Sequence, residues 1–119
     1  MGAHNREVGN AGEDAAFELI QSRGFTTLER NYRSGRLGEI DIIATRDNLL
    51  VFFEVKSRNS TQFGGPLYSI SRRKKNTLKL IANQYLCSHP GLYSADIECR
   101  FDMISILDGQ AEWIEDIFR

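Results

Sequence analysis

The chain predicts an α/β fold, a mixed β-sheet flanked by helices. Three observations carry this. Residues 37–57 hold two runs rich in Ile, Val and Phe that meet at Asp47-Asn48, the pattern of a β-hairpin. Helical periodicity stands on either side of that hairpin, and a further strand pattern closes the chain. The order is helix, three strands, helix, then one or two strands, with no repeat, low-complexity stretch or linker. At 119 residues this is one domain, long enough to bury a real core.

The first helix reads from Asn10 as N-cap, with Glu13 at the third helical position in capping-box spacing. Ala15, Ala16, Leu19 and Ile20 give it an apolar face, and Gly24 ends it. Phe25 to Arg30 reads as a short strand, and Asn31 to Arg36 as a polar connection carrying Arg33 and Arg36. In the hairpin, Arg46 facing Leu49 places Asp41 opposite Glu54 and Glu39 opposite Lys56. Strand alternation then puts these four on one face and Ile40, Ile42, Ala44, Leu49, Val51, Phe53 and Val55 on the other. Arg58 to Pro66 reads as a loop made mobile by Gly64-Gly65. Ser69 or Ser71 caps a second helix whose apolar positions are Leu78, Ile81, Ala82, Tyr85 and Leu86. His89-Pro90-Gly91 breaks the chain. Ile97, Cys99, Phe101 and Met103 then alternate with Arg100, Asp102, Ile104 and Ile106 along a strand. Asp108-Gly109 is a turn signal, and 112–118 closes the fold as a strand or short helix.

Composition narrows the function. No apolar run reaches the roughly 18 residues of a membrane span. Met1 to Gly9 is polar, without a signal-peptide core, so a cytoplasmic protein is expected. Cys87 and Cys99 lack CxxC spacing and read as reduced thiols. A formal net charge of −1 argues against coating nucleic acid by bulk electrostatics, so a polyanion must be met by a local patch.

The chemistry gathers at the open end of the hairpin. Glu39, Asp41, Glu54 and Lys56 lie within one or two residue steps of each other, flanked by Val and Phe. Like carboxylates repel and desolvation penalises each, so such a cluster is best tolerated where a divalent cation takes up the charge. A Lys56 salt bridge with Glu39 and Asp41 is the competing structural reading. A second cluster, Arg72-Arg73-Lys74-Lys75, opens the second helix, where cations oppose the macrodipole and suit phosphates; a solvated basic face is the alternative.

Gly38-Glu-Ile-Asp41 with Glu54-Val-Lys56 resembles the acidic core of the PD-(D/E)xK nuclease superfamily. Gly12-Glu13, Asn31-Tyr32-Arg33, Phe63-Gly64, Lys74, Tyr85-Leu86 and Arg100-Phe-Asp102 extend the likeness along nearly the whole chain to the bacterial YraN-type family, which is similar to archaeal Holliday junction resolvases. Ile40 stands where the superfamily name has proline, and Ser57 where the family more often has threonine. The resemblance implies a restriction-endonuclease-like fold and Mg²⁺- or Mn²⁺-dependent endonuclease activity. Asp41 and Glu54 would be metal ligands, joined by Glu13 and the Val55 carbonyl, and Lys56 would act on the attacking water or the phosphate. Oxygen-only ligands favour Mg²⁺ or Mn²⁺ over zinc. Arg33, Arg36, Arg58, Arg72, Arg73 and Lys74 are the candidates for gripping a nucleic-acid backbone. Branched DNA is the expected substrate, for which junction cleavage would call for a symmetric dimer. RNA remains open, as does a non-catalytic binding or docking module on the same fold.

Overall fold

Five strands form one mixed sheet whose spatial order is the order of the chain: β1 (Thr26–Ser34), β2 (Gly38–Arg46), β3 (Leu49–Arg58), β4 (Glu98–Leu107) and β5 (Gln110–Phe118). The computed structural model describes residues 2–58, 70–92 and 96–118. The loop expected at 58–66 therefore lies, past Arg58, outside the described residues, as does the Phe63-Gly64 element. All neighbouring strands are antiparallel except β3 and β4, which are parallel. Parallel neighbours need a crossover, and helix α2 (Arg72–Ser88) lies in it. Helix α1 (Gly2–Ser22) covers the opposite face.

The helix start differs from expectation. Helix α1 begins at Gly2, so Asn10 lies inside it and is not its N-cap. Residues 2–9 contain no proline, and Ala, Arg and Glu among them favour helix, so the capping-box spacing marks no boundary. Glu13 is thereby released from a capping role. The other end is as expected. Gly24 takes a φ of 88°. Its N–H donates to the Gln21 carbonyl at 3.0 Å and the Phe25 N–H to the Ile20 carbonyl at 3.4 Å, the Schellman pattern.

Two hydrophobic layers sandwich the sheet. Under α1, Ala16, Ile20, Phe25, Ile42, Ala44, Val51, Phe53, Ile104 and Ile106 are buried together. Under α2, Ile40, Ile43, Leu50, Phe52, Leu78, Ile81, Ala82, Tyr85 and Phe118 form the second layer. Ser71 caps α2, accepting from the Lys74 N–H at 3.1 Å. The hairpin register is the expected one, with Arg46 opposite Leu49 and Asp47 at a φ of 55°. Asp108 and Gly109 likewise take positive φ, and the closing segment is a strand.

One side chain lies on the unexpected face. Ile40 packs in the α2 layer with Ile43, not in the α1 layer with Ile42. Strict alternation cannot place residues three apart on one side, so the pleat is interrupted between them. Strand β1 runs on through Asn31 to Ser34, longer than expected, with Asn31 at a φ of 56° that a small polar side chain tolerates. The ladder shifts register between Thr27 and Glu29, then pairs Arg30 with Ile42 and Tyr32 with Ile40, with Asn31 and Asp41 between those pairs.

Candidate active site

The sheet forks at the acids. Pairing between β2 and β3 runs from Arg46–Leu49 to Ile42–Phe53 and stops. The pairs on either side continue: β1–β2 to Ser34–Gly38, and β3–β4 to Arg58–Leu107. Asp41 and Glu54 are the first residues past the fork. They are adjacent as expected, while Glu39 and Lys56 are not ladder partners.

Asp41 occupies the notch. Its Oδ2 accepts the Val55 N–H at 2.7 Å, giving that amide a partner where the ladder has ended. It also shares a side-chain hydrogen bond with Glu54. Burial pushes the Asp41 carboxyl up to about 8, with the negative charges of Glu54 and Glu13 and the Glu54 hydrogen bond adding to the rise, against the Val55 N–H.

The remaining groups come from both sides. Glu54 is buried, and by alternation with Leu50 and Phe52 it faces α2. There the Lys74 ammonium lies 3.2 Å from its Oε2. Glu13 approaches from α1, which is seated on β3 so closely that a Cβ on Gly12 would stand 3.0 Å from the Ser57 Cβ. Glu13 Oε1 is buried without a hydrogen bond, and its nearest cation is Arg30 Nη2 at 4.0 Å. Burial raises the Glu13 carboxyl, opposed by a hydrogen bond from Asn31 and the charge of Arg30. Lys56, two residues beyond Glu54, is exposed and makes no ion pair among the described residues. The salt-bridge reading of Lys56 with Glu39 and Asp41 therefore does not describe this fold. Glu39 pairs instead with Arg33 at 3.9 Å on the surface.

The basic cluster divides. Lys74 turns to Glu54, and Lys75 lies 5.9 Å from the Phe118 ring, while Arg72 and Arg73 are exposed. Arg36 is exposed in the β1–β2 turn, and the Arg58 side chain falls outside the described set. Asp102 takes no part in the site. Fully buried, it binds Arg100 through Nε and Nη2 at 2.8 Å each, Trp113 Nε1 at 2.8 Å and the Asp116 N–H at 2.9 Å. Arg30 was not foreseen, and Asn31 was named only within the Asn31-Tyr32-Arg33 element, without a role beside Glu13. An Asn flanked by Arg and Tyr within a strand run, against its propensity, was the available signal.

Among the described residues, no three His, Cys, Asp or Glu side chains are grouped to hold a metal ion as they stand. The donor chemistry nonetheless suits a hard cation: carboxylate oxygens only, one of them buried without a hydrogen bond and two brought together at the fork, where a cation would relieve their repulsion.

This arrangement accompanies a family match. The model of the uncharacterised protein family UPF0102 matches residues 12–106. The chain belongs to UPF0102. A UPF0102 protein of Dictyoglomus turgidum is 44% identical over 104 residues, covering 87% of this chain and 85% of that protein. One from Desulforamulus reducens is 39% identical over 118 residues, covering 98% and 94%. A third, from Nitrosomonas europaea, is 41% identical over 117 residues, covering 93% and 95%. The match bears out the YraN-type resemblance and spans Glu13, Asp41, Glu54, Lys56 and Lys74. Among the described residues, no helix of this UPF0102 chain is long and apolar enough to cross a membrane.

Proposed function

We propose that this protein hydrolyses phosphodiester bonds in structured nucleic acid, branched DNA foremost, with Mg²⁺ or Mn²⁺. The observation that carries the reading is the buried Asp41 held beside buried Glu54 in the fork of the sheet, with Glu13 Oε1 buried and without a hydrogen bond on the α1 side. Buried acids that repel one another give a binding module nothing when its partner is a polyanion. They suit a cation site.

Asp41 and Glu54 would hold the ion, with Glu13 and the Val55 carbonyl as further oxygens. When bound, the ion supplies positive charge for the phosphoryl oxygens and lowers the pKa of water. The chain's own groups do the rest. The Val55 N–H fixes one Asp41 oxygen at the fork. Lys56 follows on the Glu54 side of β3, where its ammonium orients the attacking water or neutralises the phosphate. Lys74 holds Glu54 in place and adds a second cation at the mouth of the site. Arg33, Arg36, Arg72 and Arg73 are exposed around it and would meet the backbone without reading sequence.

The test is a panel of branched, single-stranded and duplex DNA and RNA incubated with Mn²⁺. Asp41→Asn and Glu54→Gln should each abolish cleavage with unchanged circular dichroism. Cleavage that survives both substitutions, or is undiminished in EDTA, would refute the reading. Metal-independent binding of the same panel without cleavage would assign the fold to a binding module.

A further inference from the structure

The opposite end of the hairpin carries a second concentration of charge. Arg23, Phe25, Arg46, Arg100, Trp113 and Glu115 line an open cleft of about 390 Å³. Leu49, at the turn beside Arg46, is five residues from Glu54 along β3, which is roughly 17 Å of strand. The cleft is therefore separate from the carboxylate fork.

Its three guanidinium groups are not equivalent. The charge of Arg100 is matched by the buried Asp102, which it binds through two donors, and Glu115 lies 3.7 Å from its Nη1. Arg23 and Arg46 have no carboxylate partner among the described residues. Arg46 spends one donor on the Arg23 carbonyl at 2.7 Å, and its guanidinium carbon sits 4.6 Å from the centre of the Phe25 ring. The guanidinium carbon of Arg23 lies 6.0 Å from the centre of the Trp113 ring. Of the five N–H donors each guanidinium carries, most stay unspent. Both guanidinium groups lie over aromatic rings, Arg46 closely and Arg23 at the outer limit of a cation–π contact, which leaves those donors available to an oxyanion. Two like charges side by side at one cleft repel unless an anion joins them, and planar, forked donors match a phosphate better than a carboxylate-lined or apolar ligand.

We propose that this cleft is a phosphate-binding site, in which Arg23 and Arg46 grip the phosphoryl oxygens over Phe25 and Trp113. The phosphate belongs either to a small molecule or to the end of a nucleic-acid strand, and the two sources are separable by experiment. Trp113 is the only tryptophan of the chain, so its fluorescence reports on this cleft alone. Inorganic pyrophosphate titrated at constant ionic strength should give a saturable change in that fluorescence, which sodium chloride does not. Arg46→Gln should weaken the response at least tenfold. Because Arg46 also caps α1, Arg23→Gln serves as the second variant: it keeps the main-chain carbonyl and hence the cap, and should weaken binding to the same degree. A 5′-phosphorylated oligonucleotide that binds more tightly than its 5′-hydroxyl counterpart assigns the phosphate to a strand end; pyrophosphate binding without that difference assigns it to a small molecule. On the strand, each lost contact should lower the slope of log affinity against log salt by about 0.7. A fluorescence change that fails to saturate, or that persists undiminished in Arg23→Gln, overturns the proposal. Neither result depends on cleavage, so the outcome is independent of the carboxylate fork.

Discussion

Replacing Asp41 by asparagine should make the metal-free protein more stable at alkaline pH. Asparagine is nearly isosteric: its Oδ1 can accept the Val55 N–H that Asp41 accepts at 2.7 Å, and its Nδ2 can donate to Glu54. Only the negative charge is lost. In the wild type, burial and the neighbouring carboxylates raise Asp41 from 3.8 to about 8 in the folded chain. The folded state then binds more protons than the unfolded state between about pH 4 and 8, so stability falls as pH rises through that window. A displacement of about four units at 1.36 kcal/mol each sets a ceiling on the order of 5 kcal/mol. Water entry and the high effective dielectric of real sites reduce this, to about 2 kcal/mol. At about 4 °C per kcal/mol, the variant should melt roughly 8 °C above the wild type at pH 8.5 in EDTA, and the two should converge near pH 4. Thermal melts followed by circular dichroism across that range are the assay. A variant that melts below the wild type at every pH, or that keeps the wild-type slope, would refute this account of the buried Asp41 carboxyl.

Further outcomes follow from other contacts. Saturating Mn²⁺ at 100 times its dissociation constant contributes roughly 2.7 kcal/mol, so the wild type should gain about 10 °C and Asp41→Asn much less; equal gains measured by calorimetry would remove Asp41 from the metal site. Gly12→Ala should cost about 1–3 kcal/mol in urea unfolding, because the new Cβ meets the Ser57 Cβ at 3.0 Å. Adding Ser57→Gly should recover most of that loss, and no recovery would place the strain elsewhere. Asp102→Asn should cost about 1.5–3 kcal/mol, because its fully buried side chain loses charge-assisted hydrogen bonds to the half-buried Arg100, yet leave Mn²⁺ affinity unchanged in titration calorimetry. Lys74→Gln, which leaves Glu54 without its cation, should cost about 1 kcal/mol given that the lysine is 46% exposed, while Arg72→Gln should cost nothing measurable; chemical denaturation of the pair distinguishes them.

The hairpin was legible in the sequence because its two signals agree: alternating apolar residues and an Asp47-Asn48 turn together leave one register. The α2 face was legible for the same reason, its apolar spacing fixing Leu78, Ile81, Ala82 and Tyr85 as core. The site itself was legible only in part. That Asp41 and Glu54 meet follows from register. That the sheet forks there does not, because an alternating pattern carries no mark of where two strands part. The break in alternation that puts Ile40 in the other layer is equally invisible in the pattern. The start of α1 was misread since a capping box is a local pattern that also occurs inside helices, with nothing nearby to stop the helix continuing. Lys74 was read, with Arg72 and Arg73, as a cation for gripping a nucleic-acid backbone and not as the partner of Glu54. Which of them reaches Glu54 is fixed by the crossover that brings α2 over β3, a long-range relation that a linear pattern does not contain.

The chain-order sheet also sets an order of assembly. Hairpins β1–β2, β2–β3 and β4–β5 are local and cheap to close, whereas the parallel β3–β4 pairing must wait for the whole crossover to be spanned. The β2–β3 hairpin can thus form while Lys74 is still remote, when Asp41 and Glu54 have only each other. In that interval the fork is open to water and both acids are solvated, so their mutual repulsion is weak and does not oppose the hairpin. Docking α2 dries the site and delivers its compensating ammonium in the same step. Desolvation of the acids and arrival of the cation are thereby one event, and a half-folded chain never has to carry the buried charge alone.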